Sequence, residues 1–593
     1  MLKWAIICVT FTLLTGCATY KQEIDQGLTL AKQGDWKNAE NQLTKALHDS
    51  PHDQLLYFLE TGALAQNQGD YQRSNALLEQ ADELSDTFFQ KSFKNRAWAL
   101  LSNPRQENYH GSGLERIYIS YLKSLNYLAL SEQATNREQR DKLRDSALVE
   151  ARRIDNKLNE IQAQKPSYQD LNAKQDQAFY MKALSWLGNF YNGGRSTEEY
   201  AYRDDAWARY LEGLQYEISK QYDDARISYQ DAAKLYEAGY AKQYSLSDMT
   251  AERAWLDTIR MMRKGGGWSQ DEINKLIKSK LSLPMQTVLD SYKKDDAELV
   301  ILEHEGFIPD KSEMSLRLYA DPNAYSLVLQ PVIGGSHQQQ NDAFRWFTMV
   351  YSDINPLNLI ANYKAGGAWG AVSGVFTKRV IVGPAVWKQL EQAHLDTLLT
   401  QQFIRVTVPY YTRFTLDHQT PILALNASGT HKDTANSTGK STDKSTDKST
   451  DKSTDQNSDK STDKTEPASQ TIRMTSLADI AFQEQLFEAQ RDIYEGLVRE
   501  LLRSWLADRV ARSVKDDTAS LILSLIGQVS VFASSAADTR NWLTLPAQVR
   551  LTRKAIPARP YEPTYSVDKQ HFSLGKIVLK PNEIKVWNLR NPN

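Results

Sequence analysis

The chain has 593 residues, 24% of them charged and 41% hydrophobic, with a formal net charge of −2. That is length for three or four domains of about 100–200 residues each, an ordinary globular composition, and no concentrated basic surface for nucleic acid. A mean hydropathy of −0.56 excludes a polytopic membrane protein, and with only Cys8 and Cys17 the mature chain can hold no CxxC pair, cysteine zinc site or disulfide framework.

Residues 1–16 read as a secretory signal, with Lys3 ahead of the apolar run Trp4 to Leu14. That run is too short to span a bilayer, which takes about 20 residues. It ends in Leu14-Thr15-Gly16-Cys17, which resembles a bacterial lipobox, so Cys17 is the expected acylated N-terminus after cleavage. The competing reading is an ordinary signal peptide with an incidental cysteine. A small residue directly before Cys17, the only cysteine of the mature chain, favours the lipobox. Several acyl chains, at about 0.8 kcal/mol per buried methylene, would hold the protein firmly to a membrane. Ala18 follows where an Asp would resemble an inner-membrane retention signal, so the expected place is the outer membrane, facing the periplasm.

Residues 17–265 carry a helical-repeat pattern. Gly34-Asp35-Trp36 superimposes on Gly69-Asp70-Tyr71 at a shift of 35 residues, as do Leu43 on Leu78 and Ala46 on Ala81. With Ala39 and Pro51, the first unit resembles a tetratricopeptide repeat, whose period is about 34. Gly34 suits a tight turn between antiparallel helices, and the small Ala39 and Ala46 allow close approach. Leu211, Leu214 and Tyr216, followed by Gln221 to Ala225, Tyr229, Ala232 and Ala233, read as a third unit. Between them Ile117, Tyr121, Leu125 and Leu128 keep a helical period. Trp36 and Tyr71, near the turns, are expected to be packing residues.

Gly265-Gly266-Gly267 marks a boundary that a helix interior would not tolerate. Residues 266–426 then read as a mixed α+β region. Runs rich in branched and aromatic residues predict strands at Leu299–Leu302, Tyr325–Val332, Trp346–Tyr351, Arg379–Val382 and Phe403–Val408, with a helix over Ala385–Thr400. Residues 427–470 are a low-complexity insert in which Lys-Ser-Thr-Asp occurs five times. Nearly devoid of apolar residues, it is expected to be a disordered excursion from a surface loop, its ends roughly 35–40 Å apart as a flexible coil. Residues 471–593 are expected to complete the α+β domain. They carry a long helix over Ser476–Ala511, a buried helix at Leu521–Ala533, and strands at Ala547–Arg553, Gly575–Leu579 and Glu583–Leu589. The fold class is thus a tetratricopeptide-like helical-repeat N-terminal half followed by a mixed α+β half.

Tyr109, Gly111, Glu115-Arg116, Leu125-Asn126-Tyr127-Leu128 and Ala147 to Arg153 form one block of distinctive residues. Others are Asp205-Ala206 with Tyr210 to Glu217, Glu305 to Pro309 with Lys311, and Asp538 to Pro546. In this order they resemble the signature of a family of large uncharacterised bacterial lipoproteins. The resemblance implies a tetratricopeptide-like N-terminal half and a mixed C-terminal half, with no established activity. It hints at a partner among small lipoproteins of cell-wall synthesis regulation. The Lys-Ser-Thr-Asp tract departs from that signature.

The charged set Glu115, Arg116, Glu150, Arg152 and Arg153, with Asn126 beside it, is the first candidate site, as a structural ion-pair network or a partner-binding groove. Two carboxylates about 5–9 Å apart would permit glycoside chemistry, which makes Glu115 and Glu150 the candidates for that alternative. Asp538, Arg540, Trp542 and Pro546 form the second candidate site, more often a helix stop with a buried indole than a ligand edge. None of the nine histidines has a metal-binding spacing. His304 lies between Glu303 and Glu305, which in a strand point to the opposite face, and a solvated strand position is expected for it. Gly334-Gly335 and Gly366-Gly367 lack the Lys of a phosphate loop. No cofactor, metal or catalytic residue is expected. The function expected is a non-catalytic protein-interaction scaffold of the cell envelope, the alternative a cell-wall glycan-binding module or glycan hydrolase.

Overall fold

The computed structural model describes residues 22–92, 105, 107–163, 204–332, 336–350, 377–381, 383–392, 404–412, 421–427 and 471–485. It also describes six helical positions between 488 and 500, and residues 536–567 and 570–592. Residues 1–16, expected as a signal, Cys17, the Lys-Ser-Thr-Asp tract, Leu521–Ala533, Gly334-Gly335, Gly366-Gly367 and most of Ser476–Ala511 lie outside these residues.

Three antiparallel helix pairs share one local geometry. The first joins α1 (residues 22–32) to α2 (Trp36–Leu47), and the second α3 (Gln54–Asn67) to α4 (Tyr71–Ser92). After α5 (Gly113–Gln133) and α6 (Arg137–Ala163), the third joins α7 (Ala206–Ile218) to α8 (Tyr222–Leu235). Gly34 and Gly69 turn the chain at φ 78° and 80°, where glycine carries no Cβ penalty. At each, two backbone hydrogen bonds close the end of the helix: Gly34 N to Ala31 O and Asp35 N to Leu30 O, then Gly69 N to Gln66 O and Asp70 N to Ala65 O. Lys220, at φ 61°, makes the same turn through Lys220 N to Glu217 O and Gln221 N to Tyr216 O. Asp35 and Asp70 then cap the following helices by accepting from the Asn38 and Arg73 backbone N–H groups. Seven residues before each turn a glycine lets the pair close. A Cβ on Gly27, Gly62 or Gly213 would stand 2.8, 2.9 or 2.7 Å from Leu43, Leu78 or Tyr229.

Helices α9 (Met249–Gly265), α10 (Gln270–Lys280) and α11 (Leu283–Asp290) lead to the first strand. Gly266 and Gly267 have positive φ and end α9. The hydrophobic core nevertheless runs on across this break, joining Leu43, Leu78, Tyr121 and Trp207 to Val300, Leu302, Met474, Trp542 and Leu551.

The strands are β1 (Ala297–Glu305), β2 (Lys311–Asp321), β3 (Ser326–Val332), β4 (Lys378–Ile381), β5 (Ile404–Tyr411) and β6 (Ile422–Ala427). Then come β7 (Thr471–Ser476), β8 (Gln548–Ile556), β9 (Pro560–Val567), β10 (Gln570–Ser573), β11 (Ile577–Val578) and β12 (Ile584–Asn591). They form three sheets: β12-β1-β8-β7, β4-β3-β2-β5, and β10-β9-β11 with β6 on the other side of β9. The first is the central layer. Its β1 is buried along its whole length, with Val300 and Leu302 packed into the helices and Leu299 and Ile301 packed against Tyr561 and Tyr565 of the third sheet. A strand covered on both faces reads as a continuous apolar run, and Leu299–Leu302 does.

Trp346–Tyr351, expected as a strand, is corrected: Trp346 to Val350 end a helix, α12 (His337–Val350). Ser336 caps it, its hydroxyl accepting from Gln339 N at 3.3 Å, and Trp346 and Phe347 are buried. A short apolar run does not distinguish a strand from the buried end of a helix. The helix expected from Ser476 starts one residue later, because Ser476 ends β7 and accepts from Asp479 N. Gly575–Leu579 contributes only the two residues of β11.

Candidate functional site

The first candidate set is divided among separate places. Helices α5 and α6 do pack together, but Lys123, 1% exposed, is the hub between them, pairing with Glu150 at 2.9 Å and with Glu79. Arg153 reaches Glu150 at 3.1 Å and Asp82 at 3.6 Å, and Lys157 also bonds Asp82. Arg116 pairs instead with Asp86 and Glu160. Arg152 points elsewhere, donating to the Tyr216 hydroxyl at 2.8 Å. Asn126 is buried in an amide cluster, donating to Ser74 and Asn75 and accepting from Gln66. Sequence reasoning passed over Lys123 and Lys157; the signal was a lone lysine in the apolar run from Ile117 to Leu128.

Glu115 is engaged on both oxygens. Tyr109 Oη and Ser112 N donate to Oε2, and Trp542 N donates to Oε1 at 2.7 Å. Lys123, the partner of Glu150, lies eight residues along α5, which is roughly 12 Å of helix rise. Glu115 and Glu150 are thus held by different partners, Glu115 by Tyr109, Ser112 and Trp542 and Glu150 by Lys123 and Arg153.

The second candidate set docks the C-terminal half onto the helices. Arg540 pairs with Asp53 at 2.9 Å and Asp538 at 2.7 Å, and its guanidinium lies over the Tyr109 ring. Trp542 is fully buried, its indole N–H on Thr544 Oγ1. Glu60 receives Leu543 N, Thr544 N and the Thr544 hydroxyl. Burial, opposed by these bonds and joined by the nearby Glu115, pushes the Glu60 carboxyl up to about 7.

A further ionic cluster binds the central sheet to α7 and α9. Arg553, fully buried on β8, bonds Glu217 at 2.8 Å and Glu298 at 2.7 Å and pairs with Asp257 at 3.3 Å. Arg253 and Arg260 complete it. Burial raises the Asp257 and Glu217 carboxyls, but the arginines win and hold both well below the usual range. No spacing in the sequence connects residues 217, 257, 298 and 553.

The remaining feature is a cleft of about 350 Å³ between the first two repeat turns and β12. Trp36, Gln68 and Tyr71 form the helical wall, Thr544 and Pro546 one end, and Asn588 and Arg590 the strand wall. Trp36 and Tyr71 thus line a cleft as well as pack. Among the described residues β12 pairs with β1 alone, at the edge of its sheet. Glu583 O and Asn591 O bond toward β1, so by the alternation of a parallel ladder the Asn588 and Arg590 backbone groups face the other way, toward the free edge.

At this cleft Arg590 has polar groups without partners. Arg590 Nη1 donates to His304 O and Asn591 O, while its Nε and Nη2 are buried and unbonded. Burial lowers its pKa to about 9, with only Glu305 opposing. His304 is corrected: it is buried at 3% exposed, because both faces of β1 are covered. Burial, reinforced by Arg590, lowers its pKa to about 3, so the imidazole is neutral. Trp207 Nε1 donates to Tyr121 Oη at 3.0 Å, and Tyr121 Oη lies 2.8 Å from His304 Nε2. The assignment that strands no hydroxyl proton has Tyr121 donating to Nε2, which puts the ring proton on Nδ1. The Asn588 side chain and the Leu302 and Leu589 backbone groups face the ring and oppose the effect of burial. Glu303 and Glu305 do point to the other face, bonded to Tyr565 and Asn591, and to Gln548 and Arg550.

Among the described residues no three His, Cys, Asp or Glu side chains gather as a metal site, and no helix is long and apolar enough to cross a membrane. No protein-family model matches the chain, and no curated protein matches it.

Proposed function

We propose that the chain is an outer-membrane-anchored periplasmic lipoprotein, acylated at Cys17, that acts as a non-catalytic protein-interaction scaffold. Its helix pairs are tetratricopeptide-like repeats, and it belongs with the large uncharacterised lipoproteins it resembles. The observation that carries the scaffold reading is the cleft, walled by repeat-turn aromatics on one side and a free strand edge on the other. Repeat surfaces of this kind take extended segments of other chains, and a free strand edge offers them backbone hydrogen bonds. The glycan-binding or glycan-acting alternative draws on the same aromatic and amide lining, but Glu115 is bonded on both oxygens and Glu150 pairs with Lys123 and Arg153.

The test is in-cell photocrosslinking with the reactive side chain at Gln68, on the cleft rim, and a control at the exposed Leu283 of α11. One envelope protein captured at Gln68 and absent at Leu283 is expected. Capture of glycan fragments alone, or of no reproducible neighbour, would reject the scaffold. The anchor is tested separately: Cys17→Ala is expected to abolish incorporation of an alkyne-labelled palmitate and release the protein from membranes, and retained label would reject it.

A further inference from the structure

Buried polar groups in folded proteins are bonded almost without exception, and one that is not calls for an explanation. At the cleft Arg590 is in that condition, set opposite His304 by the parallel pairing of β1 with β12. The unbonded atoms of Arg590 are Nε and Nη2, the two on one edge of the guanidinium. That edge grips a carboxylate through two parallel hydrogen bonds. The Phe307 and Trp36 ring centroids stand 4.2 and 5.9 Å from the guanidinium carbon.

We propose that this cleft is a carboxylate-recognition site, in which Arg590 takes the terminal carboxylate of an extended peptide that pairs with the free edge of β12. The inference rests on the scaffold reading and names the chemistry of its partner. One cation flanked by neutral donors matches a monoanion better than a phosphate dianion, which recruits more positive charge. The outward backbone groups of Asn588 and Arg590 supply the partners an added strand requires. Arg590 Nε and Nη2 lie just beneath the cleft wall, so the ligand reaches them as the flexible arginine turns its open edge outward beside Trp36.

The experiment uses the full chain with 5-fluorotryptophan, the Trp36 resonance being assigned by its loss in Trp36→Phe. The probes are acetyl-tetra-alanine with a free carboxylate, the same peptide as its C-terminal amide, acetate, and inorganic phosphate. The free acid is expected to shift the Trp36 resonance saturably, and the amide to bind about ten- to a hundredfold more weakly, the worth of a hydrogen-bonded charge. Acetate, lacking the backbone, is expected to bind more weakly than the peptide acid. Arg590→Gln is expected to abolish the shift while the other tryptophan resonances stay in place. Arg590→Lys keeps the charge without the fork and is expected to lose about tenfold, which serves if the glutamine variant does not fold. Equal binding of acid and amide, a preference for phosphate, undiminished binding to the lysine variant, or no shift with the acid would each overturn the proposal. The two readings fail separately. A protein captured at Gln68 equally well in Arg590→Lys leaves the scaffold standing without this site. Acid binding through Arg590 with no captured protein leaves the site without the scaffold.

Discussion

Replacing Arg553 by Met removes the cation on which the central ionic cluster depends. In the native chain Arg553 is fully buried and bonds Glu217 at 2.8 Å, Glu298 at 2.7 and 2.8 Å, and the hydroxyls of Tyr210 and Tyr229 at 3.2 and 3.0 Å. Met is of similar length and apolar, so packing loss is small and the effect is electrostatic. Arg253, Arg260 and Lys264 remain for three carboxylates, but Arg253 bonds only Asp257 among them and Lys264 only Glu217. Removing one partner of a buried pair costs about 3–5 kcal/mol, a thousandfold or so in local opening. Hydrogen exchange of α7, α9 and β1 reads that opening directly, and suits a chain of this size better than a single melting curve. The pH dependence carries the stronger test. In the native chain Glu217, Asp257 and Glu298 are depressed below their ordinary values. Their contribution is therefore complete above the unfolded pKa of about 4, and is lost as pH falls through the folded values. In Arg553→Met the opposition to burial is weakened, the carboxyls rise, and protonation relieves the variant as pH falls. The gap between native and variant should narrow from pH 7 to pH 5. A loss below about 1 kcal/mol, or a gap that widens on acidification, would refute this account of the cluster.

The repeat turns give a second prediction: Gly213→Ala, whose new Cβ would meet the Tyr229 ring at 2.7 Å, should cost about 1–3 kcal/mol by overpacking. Gly69→Ala, with open space but φ of 80°, should cost about 1 kcal/mol through backbone strain alone; equal exchange rates in α7 and α8 between Gly213→Ala and the native chain would refute the first. Glu60, raised from 4.5 to about 7, binds its proton more tightly folded than unfolded. Its contribution is thus fully present below about pH 4.5 and lost as pH rises through 7, and Glu60→Gln should flatten the decline in thermal stability between pH 5 and 8. An unchanged slope would show that another group is responsible.

The helix pairs were legible because their determinants are local. Gly34, Asp35 and Trp36 specify a turn, a cap and a packing residue within three positions, and the same three recur at Gly69, Asp70 and Tyr71. The third turn shows the limit of that reading, since Lys220 takes the left-handed position that glycine takes in the others. Strands covered on both faces, such as β1, were equally plain. Trp346 was not, because its run is too short for either period and the deciding cap, Ser336, stands ten residues upstream. Arg540 and Trp542 are both buried, and the Arg540 guanidinium lies over the Tyr109 ring, a contact that no local pattern indicates.

What brings the cleft together is non-local by construction. His304 sits between two glutamates, and charge alone made a solvated strand the natural expectation for it; the covering of both faces by α5, α7 and β9 reverses that. Arg590 lies near the other end of the chain in an amphipathic strand, with nothing beside it to mark it. The parallel pairing of β1 with β12 sets the two residues opposite each other, and the repeat turn at Gly34 brings Trp36 over the guanidinium. A parallel pair requires a long crossover, and here that crossover contains the rest of the C-terminal half. Among the described residues the same connection puts β12 at an edge of the sheet, with backbone groups to offer. Exposed edges are ordinarily blunted by charge, proline or a covering element. At Asn588 and Arg590 the charge is present, but its fork is turned beneath the cleft wall and unbonded, an arrangement that costs stability in isolation and is recovered when an anion arrives at the edge.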